Sequence, residues 1–305
     1  MLRDGGQASS VTKRVSAGGE EVARGCAAMW KLAKKRPDFL VSGVFLLAVS
    51  AMAVVAPLAA PHDPVRAFPG HIREAPSRPF LLGTDLQGRD VLSRVMHGAR
   101  VSLMVSLVAV GLGTTAGAAW GVVSGFKRGV FDLLGQRVVD ILLSLPAILL
   151  AMSLTFVLGG SIPTVIIAIA VTRAPIAARV IRSVSLSVAE YAYAEAARAL
   201  GASDVRVMLR HVAPNCLAPY MVLVTTHLGA AIVLEATLSF LGAGIPPPTP
   251  TWGNMLAGAF TGGSFRPLYW VVIFPGVALT LTVLAFNLLG DAVRDVLDPR
   301  LRGRM

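Results

Sequence analysis

The chain has 305 residues, 54% of them hydrophobic and only 15% charged, with a mean hydropathy of +0.68. A soluble domain carries about 25% charged residues, so the composition excludes an ordinary soluble protein and points to a membrane one. The net charge of +11 does not signal nucleic acid, because the basic residues sit between apolar segments rather than on one polar domain interleaved with aromatics.

Anionic lipid headgroups are the simpler match for such flanking charge. Residues 1–38 form a basic N-terminal segment. Its length, and the lack of a small-residue cleavage site in the run that follows, speak against a cleaved signal peptide. Cys26 and Cys216 have neither metal-ligand spacing nor the number a disulfide scaffold needs.

A bilayer core of about 30 Å is crossed by about 20 apolar residues in a helix. Six segments qualify: 39–58, ended by Pro57 and Pro61, then 101–123, 138–158, 162–181, 217–241 and 268–289. The expected layout is a first transmembrane helix over 39–60, an extracytoplasmic loop over 61–100, a core of five helices over 101–290, and a tail over 291–305. With the N-terminus inside, 20 of the 28 Lys and Arg fall on the cytoplasmic side, all five lysines among them. The positive-inside rule therefore places both termini in the cytoplasm, although six arginines of the 61–100 loop count against it.

In that outer loop, Gly83-Thr84-Asp85 and Gly88-Arg89-Asp90 supply turn residues and caps for a helix leading into the second span. A structural role accounts for them; contact with an external protein is the alternative. The second span carries Gly113, Gly117, Gly121 and Gly125 on one helical face, a strip that admits another helix closely; glycines scattered without purpose are the other reading. Asp132 and Asp140 flank the start of the third span as solvated or salt-bridged groups. Arg173 stands within the fourth, near the irregularity expected at Pro175, or facing the bundle interior, and no substrate role follows from the sequence.

Residues 190–214 break the apolar pattern. Glu190–Leu200 is rich in helix formers, Gly201 can end the helix in the left-handed conformation, and Ser203 or Asp204 can cap a second short helix that stops before Pro214. Val205, Met208, Leu209 and Val212 recur at helical spacing. Such a hairpin either lies in the interface without a partner or docks into a groove of a soluble protein.

Further on, Glu235, followed by Ser239 and Phe240, is a candidate for a translocation path or gate. Pairing with a neighbouring subunit's arginine, or a place near the outer mouth, remains open. Pro246-Pro247-Pro248 with Pro250 stiffens the next loop, either as an outer gate or as plain structure, and Trp252 suits the interface belt.

Glu195-Ala196-Ala197, Gly201 and Pro214, with His211 shortly before the proline, resemble the EAA coupling loop of ABC importer permeases. Three stretches narrow this to the DppC/OppC-type permeases of the dipeptide, oligopeptide and nickel importers: LLGTDLQGRDVLSRVMHGARVSL at 81–103, EATLSFLGAGIPPPTPTWGNML at 235–256 and NLLGDAVRDVLDPRLR at 287–302. The resemblance implies an all-α type I importer bundle of six transmembrane helices in the cytoplasmic membrane, with Glu190, Glu195, Ala196, Ala197, Gly201, Asp204, His211 and Pro214 in a cytoplasmic coupling hairpin. It also implies a homologous second permease, one or two ATP-binding subunits holding ATP and magnesium, and an extracytoplasmic solute-binding protein.

The chain itself has no G-x-x-x-x-G-K-[ST], HExxH, CxxC or GxSxG, so neither a nucleotide, a metal nor a catalytic centre is expected in it. A secondary transporter or channel is the competing reading, disfavoured by the scarcity of acids at mid-membrane; a membrane-embedded enzyme or scaffold is a second.

Overall fold

The computed structural model describes residues 37–260 and 268–297. Cys26 and the rest of the basic segment through residue 36 lie outside them, as does the chain beyond residue 297. Regular structure among the described residues is helical. In chain order it comprises α1 (Pro37–Ala59), α2 (Val91–Lys127), α3 (Gly129–Ser144), α4 (Ala147–Leu158), α5 (Ile162–Val188), α6 (Ala192–Ala199), α7 (Asp204–Val207), α8 (Leu217–Phe240), α9 (Trp252–Phe260) and α10 (Tyr269–Leu297). Five stretches are long and apolar enough to cross a membrane, and α3 with α4 makes a sixth only as a bent pair.

That bend corrects the expectation of one continuous third span. The two helices meet at 93°. Pro146 has no N–H to continue the ladder, and its ring drives Leu145 into extended backbone at φ −91°, ψ 135°. The second span is longer than expected and starts at Val91, ten residues early. Asp90 caps it by accepting from the Ser93 N–H at 3.2 Å. The last helix likewise runs past Leu289 into what the sequence suggested was tail.

α2 and α5 form the centre of the bundle, and the glycine strip explains how. A Cβ on Gly113, Gly117, Gly121 or Gly125 would run into Ala170, Ala174, Ala178 or Arg182 backbone respectively, on the facing turns of α5. The two helix backbones are thus in near contact over four turns, which dispersion forces favour where no hydrophobic drive operates between helices. Around this pair, Leu46, Val105, Val110, Ile169, Ile232, Leu238 and Trp252 are buried in one core. A second cluster at one end joins Phe126, Ile181, Val188 and Val212. A third, at the opposite end, joins Val91, Val95, Met255 and Trp270.

Candidate functional site

The hairpin projects from the end of the bundle where α2 ends and α8 begins. Its first helix, α6, spans eight residues and starts after Tyr191, so Glu190 precedes it instead of opening it. Gly201 ends it at φ +83°. The Ala202 N–H donates to the Ala197 carbonyl at 3.0 Å and the Gly201 N–H to the Arg198 carbonyl at 2.9 Å, the bond pair of a Schellman turn.

Asp204 opens α7, with the Ser203 carbonyl, not its hydroxyl, accepting the first helical bond. The second helix was expected to stop before Pro214. It continues as a widened turn over Met208–Val212 and a tightened one over Ala213–Cys216, directly into α8. The Ala213 N–H reaches back to the Met208 carbonyl, and this change of pitch absorbs a proline that has no N–H of its own.

Burial divides the hairpin into an anchor and a free face. Ala194, Val207, Val212 and Cys216 are buried against Ile181, Val188 and Phe126. Glu195, Ala196, Leu200, Val205 and Leu209 are exposed, as are Tyr191 and Tyr193. The four-residue pattern of Val205, Met208, Leu209 and Val212 is therefore split: Val205 and Leu209 face outward, Val212 inward, and Met208 lies between. Partial burial, with Tyr191 beside it, pushes the Tyr193 phenol above its ordinary value, and its ring lies 6.1 Å from that of His211.

Contacts whose partners the sequence pattern did not give fix the hairpin, and α3 beside it, to the bundle. Arg128 donates to Glu190 at 2.8 Å from a turn in which both Arg128 and Gly129 are left-handed, and the Arg198 guanidinium lies 5.1 Å from the centre of the Phe126 ring. Asp132 accepts a two-pronged bond from Arg182, at 2.6 and 2.5 Å, together with the Ser124 hydroxyl. Asp140 pairs with Arg179. Both acids flanking the third span are thus salt-bridged to α5.

At the opposite end, residues 60–90 fold into a knot. Asp85 accepts from the Gln87 N–H at 2.8 Å, the Arg89 N–H at 2.9 Å and the Arg89 Nε at 2.7 Å, with Arg94 at 3.6 Å. Thr84 is buried; its hydroxyl donates to the His71 carbonyl and accepts from the Glu74 N–H at 2.8 Å. Its carbonyl accepts from the Trp270 indole at 3.0 Å. Bonds from His71 and Ser77 hold the Glu74 carboxyl below its usual range. Gly83 and Gly88 take positive φ, +77° and +74°, and backbone or indole atoms fill the space a Cβ would need. The outer-loop residues thus cross-link the knot.

The path candidates sit differently. Glu235 is fully buried between α2 and α8, accepting from the Ser102 and Ser239 hydroxyls at 2.9 Å each. Ser239 is buried with it, while Phe240 is exposed and touches the Phe260 ring. Trp252 is no belt residue. It is wholly buried and donates to the Val95 carbonyl at 3.1 Å, because its indole plugs the end of the core away from the hairpin, where α9, an element the sequence reading missed, folds back on α8.

Three comparisons bear on this arrangement. Residues 117–303 match the family model described as "Binding-protein-dependent transport system inner membrane component". A putative peptide transport system permease protein of Brucella suis biovar 1 is 42% identical over 269 residues, covering 88% of this chain and 90% of that protein. The glutathione transport system permease protein GsiD of Escherichia coli O1:K1 / APEC is 38% identical over 275 residues, 90% of either chain.

Proposed function

This chain belongs to the family of binding-protein-dependent transport system inner membrane components, as the permease subunit of an ABC importer, and from that premise we propose how its parts divide the work. The solute is a peptide or a related small compound such as glutathione, the classes named for its relatives. The hairpin over 190–214 is the coupling element, docking on a separate ATP-binding subunit that holds ATP and magnesium. The hairpin end faces the cytoplasm together with both termini. The knot over 60–90 faces the solute-binding protein, and a homologous second permease completes the path. This chain contributes no catalytic group.

The observation that supports the coupling role best is the split of the hairpin into a buried anchor and an exposed apolar face. Ala194, Val207 and Val212 weld it to the bundle, while Leu200, Val205 and Leu209 present apolar surface outward. An amphipathic helical surface of this kind fits a groove. Closure of the ATPases around ATP then moves the hairpin as a body, and α5 and α8, joined to its two ends, tilt with it. The bundle alternates between two packings, one open to each side.

Co-purification tests this. The chain is expressed with its ATPase and permease partners, and wild type is compared with Glu195→Lys and Gly201→Asp. Glu195 is exposed, and Gly201 has open space around its Cα but a backbone that strains any other residue. Loss of the ATPase, with the bundle still inserted, is the expected result. Retention of the ATPase by both variants sinks the coupling assignment.

A further inference from the structure

Deep within the spans stands a cation that the transport reading has not used. Arg173 lies in α5 with about 16 Å of helix on one side and about 22 Å on the other, which places it near the middle of the bilayer. It is partly buried, and its Nη2 donates to the Ala230 carbonyl of α8 at 3.3 Å. The Nε is buried with no partner among the described residues. His227 lies within electrostatic reach and is itself 2.9 Å from the Thr114 hydroxyl through Nδ1.

Arg173 forms no ion pair among the described residues. Glu235 is taken by Ser102 and Ser239, Asp132 by Arg182, and Asp140 by Arg179. A guanidinium at this depth costs several kcal/mol, up to about 10 or more on an isolated helix, and a carbonyl plus an orphaned donor do not offset that. Part of its surroundings is exposed. Along its own helix, Ala170 and Ile176 are only half-buried; on α8, Thr226 and Val233, one turn to either side of Ala230, are exposed. The charge thus lies between α5 and α8, half-buried, with partly exposed neighbours on both helices.

We infer that Arg173 is a mid-membrane subsite for the carboxylate of the transported solute. A carboxylate is the chemistry that the remaining N–H donors of the guanidinium match, since Nη2 is partly used by Ala230. A peptide crossing the bilayer must carry its own carboxylate through the region where desolvating that group is most expensive. Each group offsets part of the other's cost when they meet. This rests on the peptide or glutathione reading above, and the alternative source of the same chemistry is an acidic side chain of the second permease.

The complete importer, reconstituted in proteoliposomes with its binding protein, separates these. A mixed di- to pentapeptide digest serves as the probe, and ATP-dependent uptake is read by mass spectrometry for wild type, Arg173→Gln and Arg173→Lys. The expected result is an uptake loss of about ten-fold or more in Arg173→Gln, the size of one lost charged hydrogen bond. Uptake is largely kept in Arg173→Lys, and all subunits still co-purify in both variants. Uptake by Arg173→Gln within about two-fold of wild type overturns the subsite. Loss of the second permease from the Arg173→Gln complex overturns it too, by assigning the charge to that subunit. No uptake by wild type removes the peptide reading, and the subsite with it.

Discussion

At the scale of the residue, glycine and buried glutamate make opposite demands. Gly117 has no room for even a methyl group against Ala174, whereas Gly111, on the exposed side of the same helix, has nothing within 4 Å. Gly117→Val should cost roughly 1–3 kcal/mol or more by overpacking; Gly111→Ala should be neutral or slightly stabilising. Melting curves of the detergent-solubilised protein distinguish them, and equal melting would contradict the close α2–α5 seam. Glu235→Ala strands the Ser102 and Ser239 hydroxyls and should cost roughly 1–3 kcal/mol, while Glu235→Gln keeps an acceptor and should cost less. The glycine strip was legible because four-residue spacing is a local signal. The surroundings of Glu235 were not, since Ser102 lies 133 positions away in the chain.

At the scale of the element, the salt bridges that hold α3 to α5 should differ in worth. Asp132 is mostly buried and gripped at two points by Arg182, while Asp140 and Arg179 are about half exposed. A double-mutant cycle on the first pair should give a coupling of about 1–3 kcal/mol, and one on the second between about 0 and 1 kcal/mol. Matching values would place both pairs equally in solvent. The bend between α3 and α4 belongs here too. Pro146→Ala restores the missing N–H, and spin labels at positions 138 and 156 should move apart as the helix straightens. An unchanged distance would attribute the bend to packing instead. Proline was visible in the sequence, but the unbroken apolar run around it read as one span. Apolarity reports what a segment is buried in, not the direction it takes.

At the scale of the whole molecule, composition and run length sufficed for a helical membrane bundle. The hairpin stood out because six charged residues interrupt long apolar runs. Hidden from sequence was how its second half joins the bundle: Pro214 reads as a stop, and the chain passes it by changing pitch. Asp204 to Phe240 is consequently one unbroken helical column of 37 residues, about 55 Å long. A column pushed at one end behaves as a lever. Rotation by about 5° around its midpoint carries each tip through about 2 Å. Packed side chains already forfeit a quarter to a half of their attraction when they separate by about 1 Å. A swing too small to notice at the hairpin is therefore enough to unseat a layer of contacts beside Glu235 and Trp252, on the far side of the membrane.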